Sequence, residues 1–229
     1  MAQNNPPPPI SISPSPTIVI GLTGGIGSGK STVSQWLLNQ YQIPTIDTDI
    51  IARSVVMPNT AGLNAVVQTF GHSILNADGT LNRSKLREII FNDAQHKQQL
   101  EAILHPLIQN KVEEELAQIK QNNPPPLILI AIPLLTENIQ KIGQKPHYLD
   151  NIWVVDTTNE QQLKQASKRD HSSLQHIQNI IDQQASQAER LAIADVVIDN
   201  TGDLNHLQHQ LNSLLAPLLP TTYSAKTLK

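Results

Sequence analysis

The sequence predicts an α/β fold, with a parallel sheet flanked by helices and a helical insertion within the chain. Short apolar runs typical of buried strands alternate with stretches of helical periodicity, which favours a parallel sheet. A glycine-rich turn at 24–29 joins the first of these runs to the first helical stretch. The segment 60–121 has helical periodicity and turns but no clear strand, so we expect it to be an insertion into the α/β core.

The first part of the chain leads from a tail into a strand, a turn and a helix. Residues 1–16 are rich in proline and polar side chains and cannot bury enough surface to offset the entropy of ordering, so we expect a disordered tail. A strand is predicted at 17–22 and a helix at 30–41, where apolar residues recur at helical spacing. A second strand at 43–46 leads into a short helix.

The rest of the chain returns to strands after the insertion. Within the insertion, Pro106 follows His105 and is expected to open a long helix, since proline suits the first helical position. The continuous apolar run at 127–132 predicts a strand buried on both faces, which we expect at the centre of the sheet. Further strands are predicted at 152–156 and 194–199, with helical segments at 160–190 and 203–215. The predicted domain is 17–215, with its core at 17–59 and 127–215, the helical insertion at 60–121, a lid at about 160–190 and a flexible tail at 216–229.

The overall composition predicts a protein that acts on small molecules. The formal net charge is −3 and 15% of the 229 residues are charged, so no basic field attracts nucleic acid or an anionic membrane. No cysteine is present, which excludes disulfides and thiolate metal ligands. No apolar stretch reaches the roughly 20 residues that span a bilayer, and the N-terminal residues lack the pattern of a signal peptide. We therefore expect a cytoplasmic protein with a small-molecule partner, no nucleic acid and no membrane association.

Residues Gly24 to Ser31 match the full phosphate-binding pattern G-x-x-x-x-G-K-[ST]. The pattern lies between a predicted strand and a predicted helix, which is the context that it requires. Its glycines let backbone N–H groups wrap phosphate oxygens in a nest continuous with the positive end of the helix. Lys30 is expected to reach the β- and γ-phosphates of ATP, and the hydroxyl of Ser31 to bind Mg²⁺. The motif therefore predicts transfer of the terminal phosphoryl group of ATP to a small molecule.

Two carboxylates follow the second predicted strand. Asp47 and Asp49 are two residues apart in extended backbone, so both side chains leave the same face, near the sheet edge where ligands of open α/β folds bind. One can accept the proton of the phosphoryl acceptor while the other supports the water shell of the metal. Asp49 alternatively serves as the N-cap of the following helix, and the two roles are compatible.

Two single residues and one basic cluster have both a functional and a structural interpretation. Arg53 follows Asp49 by one helical turn, so it can pair with that carboxylate, face an anionic substrate or be solvated. His105, directly before a predicted helix start, is more often structural than part of a binding site. The basic residues of the predicted lid can close on the transferring phosphates or form a solvated face; they are Lys164, Lys168 and Arg169.

Six blocks of sequence, agreeing in order and spacing, resemble the dephospho-coenzyme A kinase family over roughly residues 17–215. They are GLTGGIGSGKSTV at 21–33, IDTDIIAR at 46–53, DGTLNR at 78–83, LHPLI at 104–108, IPLLTEN at 132–138 and ADVVIDN at 194–200. The resemblance implies a P-loop NTPase fold of the nucleoside-monophosphate-kinase type, with a helical substrate-binding insertion and a lid. It also implies the final step of coenzyme A biosynthesis, in which ATP phosphorylates the ribose 3'-hydroxyl of dephospho-CoA to give CoA and ADP, with Mg²⁺.

The same resemblance implies roles for individual residues. Asp49 is the implied general base, with Lys30 and the lid residue Arg169 as further catalytic residues, and Ser31 is the implied metal ligand. Nucleotide binding is implied for the phosphate loop and for a residue near the adenine: Gly25, Ile26, Gly27, Ser28, Gly29, Lys30, Ser31, Thr32 and Asn200. Acceptor binding is implied for seven positions, namely Thr23, Asp47, Asp49, Arg53, Arg83, His105 and Pro106.

The chain departs from the family pattern in the lid and in the third predicted strand. Many relatives carry arginines where this chain has Gln165 and Ile180, so the resemblance leaves open which lid residue neutralises the transferring phosphoryl group. Some relatives carry an acid at the position of Ala131. Support for Mg²⁺ is then expected from Ser31, the phosphates, water and Asp47.

Three other functions are compatible with the motifs. The same fold can phosphorylate a nucleoside, a nucleotide or another small metabolite, because the fold does not fix the acceptor. A GTPase-type switch is the second, since 199–202 fits D-x-x-G, although the chain has no N-K-x-D guanine-reading motif. A non-enzymatic nucleotide-binding subunit is the third. The sequence leaves the oligomeric state open between a monomer and a small homo-oligomer.

Overall fold

The computed structural model describes residues 16–91, 93–121, 123–220 and 223. Within these residues, five parallel strands form one sheet in the order β2-β3-β1-β4-β5. The strands are β1 (Ile18–Thr23), β2 (Thr45–Asp47), β3 (Leu127–Ala131), β4 (Asn151–Asp156) and β5 (Val196–Asp199). The predicted parallel sheet is confirmed, with each strand within a few residues of its expected place.

The central strand of the sheet is β1, and the prediction that the 127–132 run lies at the centre was wrong. β1 pairs with β3 on one side and with β4 on the other, while β3 has β2 as its outer neighbour. Leu127 to Ile130 are nevertheless completely buried. A continuous apolar run therefore indicates that a strand is buried on both faces of the sheet. It does not identify the central strand, because a strand beside the centre is buried in the same way.

Helices surround the sheet and form the insertion. In the described residues they are α1 (Lys30–Tyr41), α2 (Thr48–Ser54), α3 (Ala61–Phe70), α4 (Arg83–Phe91), α5 (Ala94–Gln121), α6 (Leu135–Ile142), α7 (Asn159–Asp170), α8 (Leu174–Gln183), α9 (Gln187–Ala192) and α10 (Leu204–Leu215). The predicted helical segment at 160–190 is thus divided among α7, α8 and α9. Each of these begins at a hydroxyl side chain that accepts a backbone N–H of the first turn, and the residues are Thr158, Ser173 and Ser186. The sequence analysis did not predict α6.

Alternating side chains of the strands supply the two faces of the core. Ile20 of β1 packs in one cluster with Leu37 of α1 and Leu211 of α10. Val19, its neighbour on β1, points to the other face and packs in a cluster with Val112 of α5. A third cluster contains Val66, Ile74, Leu86 and Leu100 of the helical insertion, together with Val56, which lies just before it in the chain. The sheet is therefore covered on both faces, and the helical segment has apolar packing of its own.

The long helix of the insertion begins twelve residues before the predicted proline. Since α5 starts at Ala94 and contains Pro106, the prediction that Pro106 opens this helix was wrong. An internal proline removes one helical hydrogen bond, so packing must hold the two halves of the helix together. Leu100 lies in the cluster of the helical segment, and Val112 lies in the sheet cluster. Burial at both ends of α5 offsets the cost of the proline.

The predicted tails lie mainly outside the described residues. Pro16 is the one described residue of the predicted tail at 1–16. In the predicted tail at 216–229, the structure describes residues 216–220 and 223. Leu218 and Leu219 are partly buried against the cluster of α1 and α10. In the described part of the chain, no helix is both long and apolar enough to cross a membrane.

Candidate active site

The glycine-rich turn forms a tight loop between β1 and α1. Gly27 and Gly29 have φ values of 69° and 98°, in the left-handed region that favours glycine. A Cβ atom on Gly29 would lie 2.2 Å from Nδ2 of Asn200. That amide donates a 2.8 Å hydrogen bond to the carbonyl oxygen of Ser28. The end of β5 therefore holds the loop at a distance that only glycine permits.

Lys30, the first residue of α1, folds back over the loop. Its Nζ donates hydrogen bonds to the carbonyl oxygens of Gly24 and Gly25, at 2.8 and 2.9 Å. Burial, followed by the positive charges of Arg169 and Arg190, lowers the pKa of Lys30 to about 8. A lysine in this environment gains stability from any anion that enters the loop.

Asp47 is the N-cap of α2, so the alternative that gave this role to Asp49 was wrong. The Oδ1 atom of Asp47 accepts the backbone N–H groups of Asp49 and Ile50, at 2.8 and 3.3 Å. Asp49 lies one residue inside the helix, in its first turn. Reduced hydration and the charge of Asp47 raise the pKa of Asp49, while Arg53 and Lys30 lower it. Asp49 is therefore a stronger base than an isolated aspartate.

A cavity of about 480 Å³ lies between the loop, the start of α2 and the helices α7 and α8 of the predicted lid. It brings together most of the predicted nucleotide-binding residues with the acidic pair and the lid arginine. The predicted residues that line it are Ile26, Gly27, Ser28, Gly29, Lys30, Ser31, Thr32, Asp47, Asp49 and Arg169. Gln165 and Ile180, the two positions that depart from the family pattern, line it as well.

The other predicted site residues do not line this cavity. Gly25 lies in the loop, and Thr23 is buried at the end of β1. Arg53 is exposed in the last turn of α2, where its charge acts on Asp49. Three predicted acceptor contacts belong to the helical segment, with Arg83 at the start of α4 and His105 and Pro106 in α5.

Arg169 is the lid cation at the cavity. Its guanidinium makes a two-pronged contact with the adjacent Asp170, with N–O distances of 2.7 and 2.8 Å. This contact raises the pKa of Arg169, so the side chain keeps its positive charge. Lys164 and Lys168 on the same helix are exposed and do not line the cavity.

A group of polar residues after α8, at the end of the predicted lid, was not predicted from the sequence. Gln184, at the end of α8, lines the cavity and accepts the backbone N–H of Ile26 at 2.8 Å. Glu137 of α6 and the buried Arg190 of α9 contact the next residue, Ala185. Glu137 falls in the IPLLTEN block, which was a signal for it; nothing in the local sequence distinguishes Gln184 from the surrounding glutamines.

The oxygen atoms of the cavity fit Mg²⁺. Ser31, Asp47 and Asp49 line the same cavity and carry hydroxyl or carboxylate oxygens, which are the ligands that Mg²⁺ prefers. Within the described residues, no group of three or more histidine, cysteine or acidic side chains forms a protein-only metal site. In kinases, Mg²⁺ is usually bound by one or two protein oxygens, with phosphates and water completing the ligand set.

The phosphate loop follows β1, and the acidic pair follows β2, which lies two strands away in the same parallel sheet. A phosphate loop that shares a cavity with such a carboxylate is the arrangement of P-loop kinases, and the fold belongs to this class. Comparison with known proteins narrows the class further. The family model of dephospho-CoA kinase (CoaE) matches residues 18–206. The chain belongs to the dephospho-CoA kinase family, and it is a nucleotide-binding transferase of the last step of coenzyme A biosynthesis.

Curated relatives and solved structures agree with this assignment. The chain is 50% identical over 197 residues to the dephospho-CoA kinase of Hydrogenovibrio crunogenus, covering 86% of this chain and 96% of the relative. It is 45% identical over 187 residues to that of Yersinia pseudotuberculosis, covering 82% and 86%. A crystal structure of a Thermus thermophilus protein superposes with a TM-score of 0.75 at 28% identity, covering 89% of this chain and 99% of that one. The dephospho-CoA kinase of Campylobacter jejuni superposes with a TM-score of 0.61 at 26% identity, covering 87% and 96%.

Proposed function

We propose that this chain transfers the γ-phosphoryl group of ATP to the ribose 3'-hydroxyl of dephospho-CoA, giving CoA and ADP. One observation carries the proposal: Asp49 lines the same cavity as the phosphate loop and Lys30. A carboxylate at this position can take the proton of an acceptor hydroxyl while the loop holds the donor phosphates. The relatives named as dephospho-CoA kinases supply the identity of the acceptor.

On the nucleotide side, the N–H groups of residues 25–32 hold the phosphates of ATP. Lys30 reaches the β- and γ-phosphates, and its lowered pKa reflects an environment that favours an incoming anion. Asn200 fixes the loop through Ser28, and its proposed role near the adenine rests on the family resemblance. These residues account for binding and orientation, which supply most of the rate in phosphoryl transfer.

The proton of the acceptor passes to a carboxylate oxygen of Asp49 as the new O–P bond forms. The raised pKa of Asp49 makes it a better proton acceptor, and Asp47 holds its backbone in place. Arg169 adds positive charge at the lid side of the cavity, where it offsets charge on the transferring group. When bound, Mg²⁺ supplies further neutralisation of phosphate charge; Ser31, with Asp47 nearby, is its proposed protein contact.

The helical insertion at 60–121 binds the acceptor in this proposal. Arg53, Arg83 and His105 contribute charged or polar groups, while Pro106, Thr23 and Asp47 shape the acceptor site. The core at 17–59 and 127–215 carries the nucleotide, and the lid at about 160–190 closes over it. Asp49 stands where the core and the acceptor meet.

We further propose a cytoplasmic location, with ATP and dephospho-CoA as the partners and no role for nucleic acid or a membrane. The net charge of −3 and the absence of cysteine support this proposal. A monomer and a small homo-oligomer are both compatible with it.

A panel of acceptors tests the proposed function. Purified protein is given ATP, Mg²⁺ and one acceptor at a time: dephospho-CoA, nucleosides, nucleoside monophosphates or shikimate. We expect ADP release with dephospho-CoA to exceed that with every other acceptor, and the Lys30→Ala variant to be inactive. ADP release no faster than in the Lys30→Ala control would refute the proposal, and preference for another acceptor would change the substrate while retaining the kinase.

A further inference from the structure

Gln184 joins the end of the lid to the tip of the phosphate loop. Its Oε1 accepts the backbone N–H of Ile26 at 2.8 Å, across 158 residues of sequence. Its own backbone N–H closes the last turn of α8, at 3.2 and 3.1 Å from the carbonyl oxygens of Ile180 and Ile181. The side chain of Gln184 therefore reaches into the cavity from a fixed helix end.

The backbone beside Gln184 is anchored to the core from both sides. The N–H of Ala185 donates to Oε1 of Glu137 at 2.8 Å, and the carbonyl oxygen of Ala185 accepts a hydrogen bond from Arg190. Arg190 is only 6% exposed. Two further contacts hold the segment that follows, from Gln187 to Asp156 and from Gln140 to Glu189. These bonds define the direction in which Gln184 points.

This anchored segment lies close to the charge centre of the phosphate loop. Arg190 and Glu137 lie close enough to Lys30 for their charges to act on it, and Lys30 is the residue expected to reach the outer phosphates. Gln184 and Lys30 also line the same cavity. The carboxamide of Gln184 is thus directed to the part of the cavity where the outer phosphates bind.

The position of Ile26 in the loop bears on which phosphate of ATP its N–H group contacts. In loops of this kind, backbone N–H groups cradle the α- and β-phosphates, and the lysine reaches the β- and γ-phosphates. Ile26 precedes the first residue of α1 by four positions, at the outer end of the loop. Its N–H donates to Oε1 of Gln184 and belongs to a residue of the cavity that Asp49 and Arg169 also line. If Gln184 is displaced, this N–H can donate to an oxygen of the γ-phosphate.

We propose that Gln184 contacts the γ-phosphate and makes the site prefer ATP to ADP; this deepens the proposed function and depends on it for the identity of the donor. A γ-phosphate oxygen replaces Oε1 of Gln184 as the acceptor of the Ile26 N–H. The displaced carboxamide turns and donates through Nε2 to the same phosphate. ADP has no γ-phosphate, so it leaves the contact between Gln184 and Ile26 in place.

Nucleotide binding without any acceptor tests this proposal. Affinities for ADP and for the non-hydrolysable β,γ-imido analogue of ATP are measured by titration calorimetry with Mg²⁺. The variants are Gln184→Glu, which places a negative charge against the γ-phosphate, and Gln184→Ala, which removes the donor. Gln183→Glu is the matched control, because Gln183 is the exposed neighbour and does not line the cavity.

The expected result is a loss that is confined to the triphosphate. Gln184→Glu should weaken binding of the ATP analogue at least about tenfold, and Gln184→Ala about tenfold to a hundredfold, as expected for a hydrogen bond to a charged group. ADP affinity should change less than about twofold in both, which also shows that the variants fold. Gln183→Glu should match the unsubstituted protein.

Three results would overturn the proposal. They are equal losses for both nucleotides, a Gln184→Glu effect no larger than that of Gln183→Glu, or a gain of triphosphate affinity in Gln184→Ala. A gain of triphosphate affinity in Gln184→Ala would mean that Gln184 only competes with the nucleotide for the N–H of Ile26. Because no acceptor is present, these outcomes are independent of the acceptor panel: nucleotide discrimination with no turnover of dephospho-CoA would refute the proposed acceptor and leave Gln184 in its role.

Discussion

The carboxylate of Asp47 accepts the backbone N–H of Asp49 at 2.8 Å and thereby fixes the first turn of α2. The same carboxylate raises the pKa of Asp49, and Arg53, one turn further along the helix, lowers it. A single acidic side chain therefore orients the proposed base and also increases its affinity for a proton. The balance between Asp47 and Arg53 can be altered by substitutions that retain the helix.

Asp47→Asn should extend activity to lower pH. The raised pKa of Asp49 means that the base becomes protonated, and kcat/KM falls, as the pH drops through that pKa. Asparagine also serves as an N-cap, so it keeps the hydrogen bond to Asp49 while removing the negative charge. The pKa of Asp49 then falls, and the acid limb of the kcat/KM profile moves to lower pH.

Arg53→Gln provides the opposite perturbation. Removing this positive charge should raise the pKa of Asp49 and move the acid limb to higher pH. Profiles of kcat/KM against pH for both variants, with saturating ATP and Mg²⁺, give the comparison. Shifts in the same direction, or no shift in either, would show that Asp49 does not control the acid limb.

Binding of nucleotide should be accompanied by uptake of protons at pH 8. With a pKa of about 8, Lys30 is about half protonated at that pH, and phosphates beside it raise its pKa. Titration of MgATP into the protein in two buffers of different ionisation enthalpy should report uptake of up to about half a proton. Affinity should decrease as the pH rises above 8, since the charged lysine becomes less populated.

Lys30→Arg is the control for this proton linkage. Arginine keeps its positive charge throughout this range, so the uptake at pH 8 should disappear even if the affinity is lower. Uptake of the same size in Lys30→Arg would assign the proton to another group.

Leu37→Ala and Leu38→Ala form a matched pair for the packing of α1 on the sheet. Leu37 is 0% exposed in the cluster beneath the helix, whereas its neighbour Leu38 is 44% exposed. Leu37→Ala should lower the free energy of unfolding by about 2–5 kcal/mol, and Leu38→Ala should change it by less than about 1 kcal/mol. Urea unfolding measures both, and equal losses would contradict the packing described for α1.

The parts of the site that sequence predicted are those set by neighbouring residues. The phosphate loop, Lys30 and Ser31 follow from one motif between a strand and a helix, and the structure contains that local order. The acidic pair was also predicted from the sequence, but which of the two aspartates caps α2 was not. Aspartate is a good N-cap at either position, so only the backbone conformation determines that α2 begins after Asp47.

The parts that sequence did not predict depend on contacts between distant segments. Nothing near Gln184 indicates that it meets Ile26, because that contact arises from how α8 ends beside the loop. Continuous burial of β3 was predicted, but its place beside β1 depends on pairing across more than a hundred residues. The continuity of α5 through Pro106 likewise rests on two apolar clusters that no local rule combines.

The rate of CoA formation by Asp49→Asn tests the central claim most directly. Asparagine keeps the size of the side chain but cannot accept the proton of the acceptor hydroxyl. We expect kcat with ATP, Mg²⁺ and dephospho-CoA to fall at least about a hundredfold, while affinity for the ATP analogue stays within a few fold of the unsubstituted protein. A kcat within a few fold of normal would contradict the account and remove Asp49 from the role of general base.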